Sequence, residues 1–332
     1  MRSLKKKRSR KKMKYHPHGS VLFCTFSVEE GLLLLANPLC ELIIQSCLVA
    51  ARTLYPVKVC HIVVEATHVH MLLVVDNPDD VPNFIKHFKT ESAHMINGLL
   101  GRNKRTVWCE GYDSPIVLSP LRALAAIAYM YANPAKDNLE TSIDRYPGFS
   151  TWGMLRSGEH TRQWKRVRRY QFLELARDSH NLRGYTKMAE AIRGDSEEVL
   201  PFELEPNAWM EAFGYTDSQV QANINEVLIR RVRKLEERAE AIRQRDKTRV
   251  IGRERLTKQL FDLTYRPRRS GKRMWCLSEK RRERMKFISF FKELMDEARD
   301  IRERWALGEI GLSYPPGLHP PSMPKLANAL YP

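Results

Sequence analysis

His61-Ile62-Val63-Val64-Glu65-Ala66-Thr67-His68-Val69-His70-Met71-Leu72-Leu73-Val74-Val75 is two runs of β-branched and aliphatic residues meeting at a short polar interruption. Runs of this kind, bounded by turn-type residues, are buried strands, here a hairpin joined near Thr67. Side chains alternate along a strand, so His68 and His70 share one face and Val69 takes the other. Two imidazoles on one face of a rigid strand form half of a divalent-metal site. The same pair also suits exposed sheet residues or satisfied core histidines, and so short a motif does not choose between them.

A second constellation lies downstream. Residues 121–134 are rich in Leu, Ala and Met, with Ser119-Pro120 as a cap-and-proline start. Pro134 is expected to stop this helix by disfavouring helical geometry at the residue before it. Tyr129 and Asn133 are four apart and share a face, one turn above each other. A tyrosine is a chemically sensible nucleophile toward phosphorus when a cation polarises the phosphate. The Asn133 carbonyl oxygen suits Mg²⁺ or Mn²⁺ beside two histidines. Tyr131 faces elsewhere on the helix wheel and is expected to pack.

Taken together, His68-Val69-His70 and Tyr129-Met130-Tyr131-Ala132-Asn133-Pro134 resemble the single-tyrosine HUH transposases of the IS200/IS605 type. With Gly111-Tyr112-Asp113 ahead of the tyrosine, the chain is most similar to their REP-associated tyrosine transposase branch. The resemblance covers residues 15–153. Two stretches depart from the usual pattern, Ala135-Lys136-Asp137-Asn138 after the proline and Gly148-Phe149-Ser150-Thr151-Trp152 further on; neither touches a catalytic position. The resemblance implies a metal-dependent endonuclease and strand transferase acting on single-stranded DNA at hairpin-flanked sites. Tyr129 would be the nucleophile of a 5′-phosphotyrosine intermediate, and His68, His70 and Asn133 would hold Mg²⁺ or Mn²⁺. It also implies a bacterial, cytoplasmic, nucleoid-associated protein with single-stranded or hairpin DNA as partner, and leaves a homodimer open. Two other classes share parts of the pattern: a rolling-circle initiator or relaxase relative, and a domesticated or non-catalytic hairpin-DNA binder.

Composition points the same way. The 332 residues carry a net charge of +17, which favours a polyanionic partner. No apolar run is long enough to span a membrane. The six cysteines include no Cys-x-x-Cys pair, which suits free thiols rather than a disulfide framework or zinc knuckle. Lys5, Lys6, Lys7, Arg8, Arg10, Lys11 and Lys12 form a basic arm, and Arg268, Arg269, Lys272 and Arg273 a basic loop. Both are candidates to lie along phosphates, as well as ordinary solvated segments.

The elements run β-α-β-β-α-β-α: a strand over 20–27, a helix over 38–52 capped by Asn37, strands over 57–66 and 69–75, a helix over 81–100, short strands over 106–110 and 115–118, then the tyrosine helix. That order predicts an α+β fold, a ferredoxin-like antiparallel sheet with packed helices. A mainly helical C-terminal region follows, with helices over 162–177, 206–213, 217–243 and 277–307. The expected division is a disordered basic arm (1–14), a nuclease domain (15–153), a helical basic domain (154–312) and a proline-rich tail (313–332). Among the other histidines, His61 is placed on the opposite strand face from His68 by parity and read as structural. His16 and His18 are split by Pro17, and His87 and His94 decorate a helix surface. Glu65 is a candidate partner for a ligand rather than a ligand itself.

Overall fold

The computed structural model describes residues 14–29, 35–100, 106–178, 185–258 and 274–321, with side chains of 175–178 left aside. Strand β1 (Val21–Ser27) leads to helix α1 (Pro38–Leu54), then to the hairpin β2 (Lys58–Val64) and β3 (His68–Val74). Helix α2 (Asp80–Leu99), the short β4 (Ile116–Val117) and helix α3 (Pro120–Lys136) complete the expected order. The sheet runs β2-β3-β1-β4, with every one of these neighbours antiparallel. This is the ferredoxin-like arrangement, in which two right-handed crossovers interleave their strands.

Local chemistry explains the helix starts. Asn37 accepts a hydrogen bond from the Leu39 N–H at 2.9 Å, with Pro38 at the first helical position. Ser119 accepts from Arg122 N–H at 3.3 Å ahead of Pro120. Pro134 does not stop α3, which runs on to Lys136. Its missing N–H falls in the last turn, where few further bonds remain to be lost, and its carbonyl accepts from Leu139 and Glu140 N–H as the chain turns away. Asn133 therefore stays inside the helix.

The sheet has a core on each face. Leu22, Cys24, Phe26, Val69, Met71 and Leu73 pack against α1 and α2. Val21, Phe23, Leu72 and Val74 meet α3. The alternation read from the sequence thus divides the strands between two layers.

After helix α4 (Trp152–Ser157) the chain departs from expectation. Residues 161–165 form β5 (Thr161–Lys165), not helix, and helix α5 is confined to Arg169–Asp178. Helix α6 (Tyr185–Asp195) precedes β6 (Val199–Glu203), which pairs antiparallel with β5. Trp164 stacks on Phe202 at 4.0 Å and anchors this strand pair against the α1 layer. Helix α7 (Ala208–Ala212) and the long α8 (Ser218–Asp246) follow, then α9 (Arg253–Lys258), β7 (Cys276–Leu277) and α10 (Arg281–Ala306). Strand β7 joins the edge of the main sheet parallel to β4, and α8 packs along α3. The region after residue 153 is mainly helical, as expected. Among the described residues, no helix is long and apolar enough to cross a membrane.

Candidate active site

The β2–β3 hairpin builds the centre of the site. Val64 pairs with Val69, so Glu65 and His68 face each other across the two-residue turn Ala66-Thr67, closed by Glu65 N–H donating to His68 O at 2.8 Å. Opposed residues in an antiparallel pair share a face. That face also carries His70, whose ring stacks on Phe23 at 5.4 Å on the α3 side of the sheet. The same pairing corrects the placement of His61. It is opposed to Leu72 and therefore lies on the face of His68 and His70, because a two-residue turn inverts the parity count from one strand to the next.

Glu65, His68 and His70 form a cluster whose donor atoms all lie within 4.8 Å of one another. Glu65 Oε1 is 3.4 Å from His68 Nε2 and 3.7 Å from His70 Nε2. From α3, Asn133 brings Nδ2 to 2.5 Å from Glu65 Oε1 and 3.2 Å from His70 Nε2. Thr67 Oγ1 is 3.0 Å from His68 Nδ1, which leaves Nε2 facing Glu65. Glu65 Oε2, His70 Nδ1 and Asn133 Oδ1 are buried with no hydrogen-bond partner. Unpaired polar atoms packed this closely are costly in a folded chain and are a signature of a site built for something else to bind.

Electrostatics follow from burial. Glu65 is held well above the usual carboxylate range, first by desolvation and then by the neighbouring Asp137. Burial pushes His70 well below the ordinary imidazole value, helped by His68 and Lys136, and it lowers His68 against the opposing pull of Asp137. Neutral imidazoles are the form a metal needs. The donor set, two nitrogens with a carboxylate and an amide, fits a hard or borderline divalent cation.

Tyr129 stands at the rim, 43% exposed, with its ring 6.4 Å from that of His70 and nearly perpendicular to it. Its phenol is raised by partial burial and by the charges of Asp137 and Glu65, while a hydrogen bond with Asn133 opposes the shift. The Lys136 ammonium lies over the same ring at 3.5 Å from its centre. Two turns of helix thus deliver nucleophile candidate, amide and cation to one corner.

The structure brings together Tyr129, His68, His70 and Asn133 from the residues singled out above. Lys5, Lys6, Lys7, Arg8, Arg10, Lys11, Lys12, Arg268, Arg269, Lys272 and Arg273 lie outside the described residues. Glu65 enters the cluster itself, closer to both imidazoles than a distant supporting role requires. The signal was present: a hairpin turn of two residues places position 65 opposite position 68. Lys136 had no comparable signal beyond its place one turn after Asn133.

Residues 36–120 match the model of the family described as transposase IS200 like. The match takes in Glu65, His68 and His70, stops short of Tyr129 and Asn133, and supports a DNA transposase, an enzyme acting on DNA. Among solved structures, a REP-associated tyrosine transposase bound to a REP hairpin is similar at 15% identity over 43% of this chain and 83% of that one, with a TM-score of 0.34. No curated protein matches.

Proposed function

We propose that the protein nicks and rejoins single-stranded DNA at hairpin-flanked sites, with Tyr129 as nucleophile and Glu65, His68, His70 and Asn133 holding Mg²⁺ or Mn²⁺. The observation that carries this reading is the convergence of four ligand-type side chains, three with orphaned buried atoms, beside a half-exposed tyrosine. In this reading residues 15–153 form the nuclease unit, and the helical region over 154–312 supports it.

Bound at these donors, the cation would draw charge from the non-bridging oxygens of the scissile phosphate. The protein's own residues do the rest. Thr67 fixes His68 through Nδ1, leaving Nε2 as the ligand atom. Turning the Asn133 amide end for end exchanges atoms of similar size and presents its unpartnered oxygen. Tyr129 Oη forms a bond to phosphorus as the bond to the 3′-oxygen breaks. The phenolic proton passes to solvent, and the departing 3′-oxygen takes one up. Lys136, over the ring, sets a positive charge beside the phenolate as it forms. The phosphodiester energy is kept in the link, so another 3′-hydroxyl can reverse the step and join a different strand.

The test is to incubate labelled single-stranded hairpin DNA with the protein and Mg²⁺ or Mn²⁺. A DNA-linked protein band is expected with metal and not with EDTA, and His68→Ala is expected to abolish it while hairpin binding persists. Adduct formation that ignores metal would sink the proposal. Equal loss of binding in His68→Ala would make the histidine pair structural.

A further inference from the structure

Helix α8 sorts its charges by flank. Its buried residues Leu228 and Val232 belong to the core it shares with α3, and Ala239 is buried on the same stripe. One flank turns to the loop after α3: Arg233 pairs with Asp144 at 2.6 Å and Glu236 accepts from Ile143 N–H at 2.7 Å. Arg243 donates to the Ala135 carbonyl at the end of the tyrosine helix, fixing the two helices together. The other flank carries Arg230, Arg231, Lys234 and Arg238, all exposed and none in an ion pair among the described residues. On a helix these positions span about 12 Å and fall within one-third of the circumference. They lie roughly opposite the buried stripe of Leu228, Val232 and Ala239, on the solvent side of the helix.

From this we infer that the basic flank of α8 is a docking surface for the phosphate backbone of duplex DNA, the stem of the hairpin. The inference rests on the proposed function for its substrate and adds the surface that orients it. Several observations favour duplex over single strand. The large side chains exposed beside these cations are Val227 (44%) and Ile242 (51%), whereas single-strand sites interleave aromatics on which bases stack. The surface is a straight, rigid helix braced at Ala135 and Asp144, suited to a stiff backbone. Its cations form no ion pair among the described residues, while Arg233 and Arg243, of the same helix, are paired. Phosphate contacts of this kind position a substrate without reading sequence.

The experiment compares wild-type protein with Arg230→Gln/Arg231→Gln/Lys234→Gln/Arg238→Gln, using a labelled hairpin and an unstructured strand of equal length. Binding is measured against salt and adduct formation separately. The variant should bind the hairpin roughly tenfold or more weakly, and its log–log salt slope should fall by about 2 to 4, near 0.9 for each lost phosphate contact. Unstructured-strand binding should be unchanged, which also shows that the variant folds. Replacing the three arginines by lysine should restore the slope. An unchanged slope, or equal losses on both DNAs, would overturn the assignment, as would a wild type that binds no hairpin. Absence of any adduct with hairpin binding intact would instead remove the catalytic reading and leave the surface standing.

Discussion

Tyr129 and Tyr131 are two residues apart on α3, and each has a histidine of the β2–β3 hairpin beside its ring. Their surroundings are opposite. Tyr131 is fully buried, with its hydroxyl 2.9 Å from His61 Nδ1 and 2.9 Å from Thr151 Oγ1, and its ring 5.0 Å from that of Trp152. Burial raises its phenol far out of the working range and lowers His61 to about 3. Tyr129 keeps its ring half in solvent, under a lysine and beside carboxylates and imidazoles whose polar atoms are only partly satisfied. At the first corner the hydroxyls of Tyr131 and Thr151 and Nδ1 of His61 bond one another and lock α3 to the sheet, leaving His61 Nε2 without a hydrogen-bond partner. The second corner leaves three such atoms converging, on Glu65, His70 and Asn133. A tyrosine–histidine pair by itself therefore says nothing of chemistry; the state of its remaining polar atoms does.

Exchanging the two tyrosines one at a time should break this contrast most visibly. Tyr129→Phe is expected to lose the DNA adduct completely, with stability to urea changed by less than about 0.5 kcal/mol because the side chain is half exposed. Tyr131→Phe should keep adduct formation in the folded protein but lose about 1–3 kcal/mol, since His61 Nδ1 and Thr151 Oγ1 lose a buried partner. Reversal of that pattern, read by denaturing gel and urea titration, would exchange the roles assigned to the two corners.

Lys136 sharpens the same comparison at the active corner. Lys136→Met keeps the stem over the Tyr129 ring but removes the charge, and should slow adduct formation roughly 10²-fold, with Lys136→Arg restoring most of it. Single-turnover rates that do not respond to the charge would reduce Lys136 to packing.

A smaller effect separates the buried corner by pH. The His61 imidazole is held near 3 in the fold against an ordinary 6.5. Between those values the unfolded chain binds a proton that the folded chain refuses, so stability is full above about 6.5 and declines as pH falls. The stability gap between wild type and His61→Gln should therefore narrow by roughly 2 kcal/mol between pH 7 and pH 5. A gap constant in urea titrations at both pH values would contradict the buried, neutral assignment.

Much of this architecture was legible before any coordinates. The strand–helix order, the two faces of the sheet and the caps at Asn37-Pro38 and Ser119-Pro120 depend on local chemistry, and they stand as expected. The misreadings arise where the outcome depends on how the chain turns or pairs rather than on local pattern. Residues 162–165 look helical until Trp164 meets Phe202, and Pro134 looks like a stop until the turn that follows is seen to use its carbonyl. His61 was assigned to the wrong face because strand parity was counted through a turn. Glu65 was underrated for the same reason, since its proximity to His68 is a property of the hairpin register. At the candidate site, the spacing of Tyr129 and Asn133 was readable from helix geometry alone. The lysine above the ring was not.

The most direct test of the account is to digest the protein–DNA adduct and locate the nucleotide-bearing residue by tandem mass spectrometry. The account predicts a phosphodiester on the Tyr129 side chain, joined to the 5′ end of the cleaved strand. Attachment at Tyr131, at any other residue, or through the 3′ end would contradict it.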